Sequence, residues 1–402
     1  MKNKVPKLRF PEFSDEWEEK KFHSIFKIFN GYAFSSSDSR SNGIRWVKIA
    51  DVGIKKMKED SLSFLPFDYK KKYSNFLLNE NDYVLALTRP ILNNQLKIAK
   101  VNSNFHNSLL NQRVGKLESN QNIDFVYQLL QRNNIVSKIE VNIAGSDPPN
   151  LSPKEINNLK TNIPSLPEQE KIANFLSSMD IKIEKLEKKK ELLEDYKKGM
   201  IQKLFSEKLR FKNENWNEYP EWKKSKLGKL LIEFSIKSTK ENEFSLLSST
   251  IKGMELRNGR VDSSSNIGYK ILKRNQIVFS PQNLWLGNIN LNKEFEIGIV
   301  SPSYKTFNLN LSYIIHDYAG YLIKTPRLMY EYGLVSETGA SVVRRNLNRE
   351  LFDEIVVTIP SLPEQEKIAN FLSSIDRKIE LIEKELEKNK EFKKGLFQQV
   401  FV

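Results

Sequence analysis

The chain has 402 residues, of which 39% are hydrophobic and 28% charged, with no cysteine and only three histidines, His23, His106 and His316. That apolar content builds real cores in about two to four domains, and it excludes wholesale disorder, a disulfide scaffold, a thiolate zinc site and a cysteine nucleophile. The net charge of +14, from 64 basic and 50 acidic residues, favours a polyanionic partner, most often nucleic acid.

Read from the amino end, KLRF (7–10) leads into a polar stretch that contains Trp17. Strand-length apolar runs then alternate with polar turns: IRWVKIADV (44–52), DYVLAL (82–87) and KIAKV (97–101). IDFVYQLLQ (123–131) and PKEINNLK (153–160) read as helical pieces. After Pro164 and Pro167 the pattern turns helical, with proline suited to the first turn and Glu168 and Glu170 to the positive helix end. KLRF then returns at 208–211, again before a tryptophan-containing stretch. Strands are expected in NQIVFS (275–280) and IGIVSPSYKTFNL (297–309), a helix in SYIIHDYAGYLI (312–323), and a second long helix after Pro360 and Pro363.

The chain is a tandem duplication in which the tails repeat and the heads do not. IPSLPEQEKIANFLSS begins at Ile163 and recurs letter for letter at Ile359, 196 residues on, and 20 of 22 positions match out to Glu184 and Glu380. A fainter echo precedes each copy, Asn150-Leu151 and Asn346-Leu347. The segments are 1–162, 163–206, 207–358 and 359–402. The first and third carry +8 and +5, so 13 of the 14 excess charges lie in the two unlike heads.

In the tails, apolar residues repeat by alternating fours and threes: Ile172, Leu176, Met179, Ile183, Leu186, Leu193, Met200 and Leu204, then Ile368, Leu372, Ile375, Ile379, Ile382, Leu386, Leu396 and Val400. Lys190, Lys197, Asn389 and Lys393 interrupt the stripe. A 3.5-residue period sustained over about five heptads predicts a coiled-coil seam. A helix over 168–205 would be about 57 Å long at ~1.5 Å per residue. Such a narrow stripe needs a partner. Two in one chain suit each other as an antiparallel pair; packing of each helix on its own head, or a homodimeric zipper, is the alternative. The predicted fold class is α+β: two mixed heads separated by an antiparallel pair of long helices, with approximate two-fold symmetry.

The heads are rich in side chains that bond base edges and phosphates. Candidates in the first are Lys55, Lys56, Arg89, Asn93, Asn94, Gln95, Gln112 and Arg113; in the second they are Arg257, Arg260, Gln282, Asn283, Tyr304, Arg344, Arg345 and Asn346. Arg pairs with guanine and Asn or Gln with adenine in the major groove, while Lys suits phosphate. Singly, a surface Asn-Gln pair is an ordinary polar loop, and Trp285 and Tyr304 are ordinary core residues.

No catalytic constellation stands out. Asp147-Pro148-Pro149-Asn150 is similar to the adenine-methyltransferase motif but lacks its final aromatic, and no Gly-rich strand–turn–helix precedes it. There is no G-x-x-x-x-G-K-[ST] phosphate loop. No apolar run of about 18 residues occurs, and the first ten residues lack a signal-peptide core, so a cytoplasmic protein without membrane contact is expected.

Two basic, unlike heads, each followed by I-P-S-L-P-E-Q-E-K-I-A-x-F-L and a long helix, resemble the DNA-specificity subunit of type I restriction–modification systems. LRFPEFSDEWEEKKF (8–22), LNQRVGKL (110–117), NLWLGN (283–288) and GIVSPSYKTF (298–307) fit as well. The resemblance implies that each head reads half of a bipartite target in double-stranded DNA and that helix length sets the spacer. It implies two modification subunits, two motor–nuclease restriction subunits, and S-adenosylmethionine, ATP and Mg2+ on those partners, with no cofactor and no catalysis on this chain. The alternatives are a stand-alone DNA-binding coiled-coil adaptor and an adenine methyltransferase built on 147–150.

Overall fold

The computed structural model describes residues 5–59, 62–143, 148–257, 265–338 and 345–402. The chain forms two compact units, residues 1–187 with 385–402, and residues 188–384.

The first unit is built on a five-stranded sheet. Its strands are β1 (Lys27–Asn30), β2 (Lys55–Lys56), β3 (Tyr83–Ala86), β4 (Ile98–Lys100) and β5 (Val114–Glu118), in the order β1-β5-β3-β4-β2. All pairings are antiparallel except β2 with β4. The central strand β3 is buried along its whole length, because both faces of the sheet are covered. Leu85, Ile98 and Leu117 face a core that includes α1 (Ile123–Leu130) and α2 (Asn133–Ile143); Val84, Ala86, Ala99 and Val114 face a smaller core with Val47 and Phe105. This is the two-residue alternation of a pleated strand with apolar groups on both sides. The long helix α3 (Leu166–Phe205) follows a strand pair, Glu18–Lys21 with Lys160–Ile163.

The second unit repeats this plan. Strands β6 (Leu231–Phe234), β7 (Ile277–Phe279), β8 (Ile289–Leu291) and β9 (Lys305–Leu309) stand in the order β6-β9-β7-β8, all antiparallel. Helices α4 (His316–Leu322) and α5 (Pro326–Leu334) cover one face. Lys223–Lys226 pairs with Val356–Ile359 ahead of the second long helix, α6 (Leu362–Gln399). The two heads, barely alike in sequence, thus share one order over four antiparallel strands, β1-β5-β3-β4 and β6-β9-β7-β8, while the parallel edge strand β2 belongs to the first sheet alone. Strand order depends on apolar alternation and turn geometry, which many sequences satisfy.

Sequence-expected elements are shortened where turns intervene. The run 44–52 is a strand only over Ile44–Val47, and 297–309 is two strands, Ile297–Val300 and Lys305–Leu309. The helix expected over 153–160 ends at Ile156, and that over 312–323 begins at His316.

Each unit contains an antiparallel stretch of the long helices. In the first, Asp180 meets Lys393, and the later Lys182 and Glu187 meet Glu385 and Lys390, both earlier in α6. In the second, Lys190 pairs with Glu383 at 2.7 Å and Lys197 with Asp376. Three of the four residues that interrupt the apolar stripe therefore form cross-helix ion pairs, and one pair occurs twice, Asp180–Lys393 and Asp376–Lys197. Near its start each helix is more than a coiled-coil strand. Ile172, Ala173 and Leu176 join the first head's core with Trp17, Phe125, Leu396 and Phe401, and Ile368, Ala369 and Leu372 join the second's with Leu204 and Tyr318. The packing of each helix on its own head thus coexists with the helical pairing.

Candidate nucleic-acid interface

The repeated motif anchors each head to its helix. Glu168, buried at the first turn of α3, accepts two hydrogen bonds at 2.8 Å from the Arg9 guanidinium and one from the Trp17 indole at 3.3 Å. Glu364 repeats the arrangement with Arg210 at 3.1 and 2.8 Å and Trp222 at 3.1 Å. The neighbouring Gln169 and Gln365 are fully buried and satisfy loop backbone: Gln169 donates to the Pro164 carbonyl, Gln365 to those of Pro360 and Tyr313. Glu168 is therefore a buried anchor rather than a solvated helix-end charge, whereas Glu170 is exposed as expected.

In the first unit, topology gathers six of the candidates at one end of the sheet. Arg89 follows β3 and Gln112 and Arg113 precede β5. Leu87 N–H donates to the Arg113 carbonyl at 2.9 Å and Arg89 N–H to that of Pro149 at 2.8 Å. Arg89, Gln112 and Arg113 are exposed. Asn93 and Asn94 form the two-residue turn of a hairpin, Ile91–Leu92 with Gln95–Leu96, both at positive φ (50° and 57°). Asparagine tolerates that conformation, so the turn itself accounts for the pair, while its side chains and that of Gln95 are exposed. Lys55 and Lys56 lie elsewhere, exposed on the edge strand β2. Burial pushes the Lys393 ammonium down, Asp180 opposes this, and the charge of Lys55 adds to the depression.

In the second unit the equivalent sheet end carries Gln282 and Asn283, after β7, and Ser303 and Tyr304, before β9. Of these, Gln282 and Ser303 line an open concavity of about 390 Å3 together with Ser280, Arg345 and Asn346, whereas Asn283 and Tyr304 are not part of its lining. Tyr304 packs on the small core of Leu247, Leu272 and Val300, and burial raises its hydroxyl pKa. Arg257 is exposed and acts on the Tyr304 hydroxyl electrostatically. Arg260 and Arg344, like Asp147, lie outside the described residues.

The faint sequence echo falls at one place in both units. Leu151 N–H donates to the Leu87 carbonyl, and the Thr88 hydroxyl donates to the Asn150 side chain at 2.7 Å. Asn346 and Leu347 lie beside Ser280 and Gln282. The segment 148–150 is thus a crossing beside β3, occupied by backbone pairing with Arg89. Sequence reading missed Ser303 and the place of Trp285, whose ring lies under Arg345.

Lys324 secures this end from below. Its ammonium donates to the Gly287 carbonyl at 2.7 Å and to that of Ile251 at 3.3 Å. Gly287 is the left-handed residue (φ 90°) that closes the turn bearing Gln282. Burial pushes the Lys324 pKa down to about 8. A depressed lysine means that between pH 8 and about 10.4 the unfolded chain binds a proton that the folded one has lost, so stability rises with pH there. The unfolding midpoint of the wild type, compared with Lys324→Met, is expected to gain on the variant from pH 8 to 10 and to run parallel below pH 7. A flat difference across the range would contradict the assignment.

Among the described residues there is no group of three or more His, Asp or Glu side chains placed to hold a metal, and no helix long and apolar enough to cross a membrane.

Comparison with known proteins bears on this arrangement. The family model for the type I restriction modification DNA specificity domain matches twice, over residues 14–195 and 219–390. The MjaVIII type I restriction enzyme specificity subunit of Methanocaldococcus jannaschii is 34% identical over 213 residues, 52% of this chain and 50% of that protein. The EcoAI specificity subunit of Escherichia coli is 31% identical over 195 residues, 47% of this chain and 32% of that protein. These matches span half or less of the curated relatives. In fold, the chain is similar over 99% of both chains to the S subunit of a type I restriction–modification system from M. genitalium, with a TM-score of 0.62 at 16% identity. It also resembles a chain from a structure describing assembly and conformational transition of a type I system, over 96% of both chains, with a TM-score of 0.52 at 14% identity.

Proposed function

We propose, from the premise that this chain belongs to the family of type I restriction–modification DNA-specificity domains, that it reads a bipartite sequence in double-stranded DNA. Each unit reads one half of the target through the sheet end described above, and the long helices set the number of unread base pairs between the halves. The observation that carries this is the recurrence of one strand order in two heads that present different side chains at the same sheet end: Arg89, Gln112 and Arg113 in one, Gln282, Arg345 and Asn346 in the other. A common scaffold with distinct polar ends suits two readers of different sequence.

The excess basic charge of the heads supplies sequence-independent affinity that falls steeply with salt, and base contacts add about 1–3 kcal/mol each. In this reading the chain carries no chemistry of its own. It assembles in the cytoplasm with two modification subunits, which hold S-adenosylmethionine and flip the target adenines, and with two restriction subunits, which use ATP and Mg2+. Methylation mapping of DNA treated with the complex of this chain and its modification partner tests the proposal. One bipartite sequence is expected, and exchanging residues 207–358 for the corresponding segment of another family member is expected to change one half only. Methylation without sequence preference, or a change in both halves, would refute it.

A further inference from the structure

We propose that the concavity of the second unit reads a G·C pair through its major-groove edge, with Arg345 as the residue that selects guanine. This rests on the reading of the chain as a DNA reader and deepens it. The Arg345 guanidinium lies over the Trp285 indole, 4.1 Å from the ring centre. Its hydrogen-bonding capacity is nearly unspent: Nη1 reaches the Gly333 carbonyl only at 3.5 Å, and the buried Nε has no acceptor among the described residues. A buried donor without an acceptor is costly, so the pocket is matched to a ligand that brings acceptors.

The neighbours identify that ligand. Gln282 and Asn346 are exposed, and among the described residues their side-chain amides make no hydrogen bond. Ser303 adds a hydroxyl, shared with Ser301 at 2.9 Å. A phosphate offers only acceptors and would waste both amide oxygens; one cation beside two amides is also a poor phosphate site. A base-pair edge offers donors and acceptors in a fixed pattern. Guanine presents two adjacent acceptors, O6 and N7, which a guanidinium fork matches, and the amides suit a neighbouring adenine. Stacking on Trp285 fixes the plane of the fork without using its donors.

The test uses the full chain in complex with its modification partner and a set of DNAs in which each base pair of the half-site read by the second unit is changed in turn. The wild type is expected to require guanine at one position. Arg345→Lys keeps the charge over Trp285 but loses the fork. Discrimination at that one position is expected to fall about ten- to a hundredfold, while the other positions and the salt dependence hold. A uniform loss across positions would mark a phosphate contact and overturn the proposal, as would unchanged discrimination. Gln282→Ala, at an exposed position, serves where Arg345→Lys does not fold: it is expected to relax the adjacent base pair, and no relaxation there overturns the pocket assignment. A wild-type complex with no sequence preference would instead remove the underlying reading.

Discussion

Glu168→Ala is expected to lower the stability of the first unit by about 3–5 kcal/mol, the range for breaking a buried ion pair from one side. Glu168 is 1% exposed and Glu364 is fully buried. Removing either carboxylate strands a guanidinium, whose side chain is 11% exposed at Arg9 and 20% at Arg210, and orphans the indole N–H of Trp17 or Trp222. The cost is the desolvated charge left behind, more than the attraction lost. Glu168→Gln should fall between, because it keeps an acceptor but not the charge. Glu170→Ala is the control, two residues along the same helix and exposed; it should cost about 1 kcal/mol or less, from helix-dipole effects. Urea denaturation of the four proteins decides it. Equal costs at 168 and 170 would show that the duplicated motif does not act as an anchor.

Lengthening both long helices by one heptad, after Lys190 in α3 and after Leu386 in α6, is expected to lengthen the tolerated gap between half-sites by about three base pairs. Seven residues add roughly 10 Å at ~1.5 Å each, against ~3.4 Å per base pair. A heptad preserves the 3.5-residue seam, and equivalent insertion points keep the crosswise pairs Asp180–Lys393 and Asp376–Lys197 in register. Affinity should drop, since three base pairs also turn the second half-site by roughly a third of a helical turn. Insertion into one helix alone breaks that register. It should destabilise the chain without yielding a new spacing, because the buried Lys393 would lose its carboxylate. Methylation assays on a ladder of spacers read the outcome, and an unchanged optimum would eliminate the helices as the ruler.

The tails were legible because their signal is local. Ile172, Leu176 and Met179 advertise a buried stripe by spacing alone, and duplication doubles the signal. Even the lysines that seemed to spoil the stripe sit at stripe positions: Lys190, Lys197 and Lys393 point at the facing helix and find carboxylates there. The candidate site was legible only as residue types. Asn93 and Asn94 match a base-reading composition, yet their backbone angles show that the hairpin requires them whether or not they touch DNA. Tyr304 matches a stacking platform, yet its ring packs on a core.

By itself the sequence determined the duplication, the helical tails, the basic heads and the family to which they belong, because repeats, periods and charge are properties of neighbours along the chain. Tertiary structure alone decided that Arg9 closes on Glu168 from 159 residues away, that two unlike heads share one strand order, and that Gln282, Arg345 and Asn346 border one concavity. Those pairings are set by which distant surfaces exclude water together, and no spacing along the backbone encodes that choice.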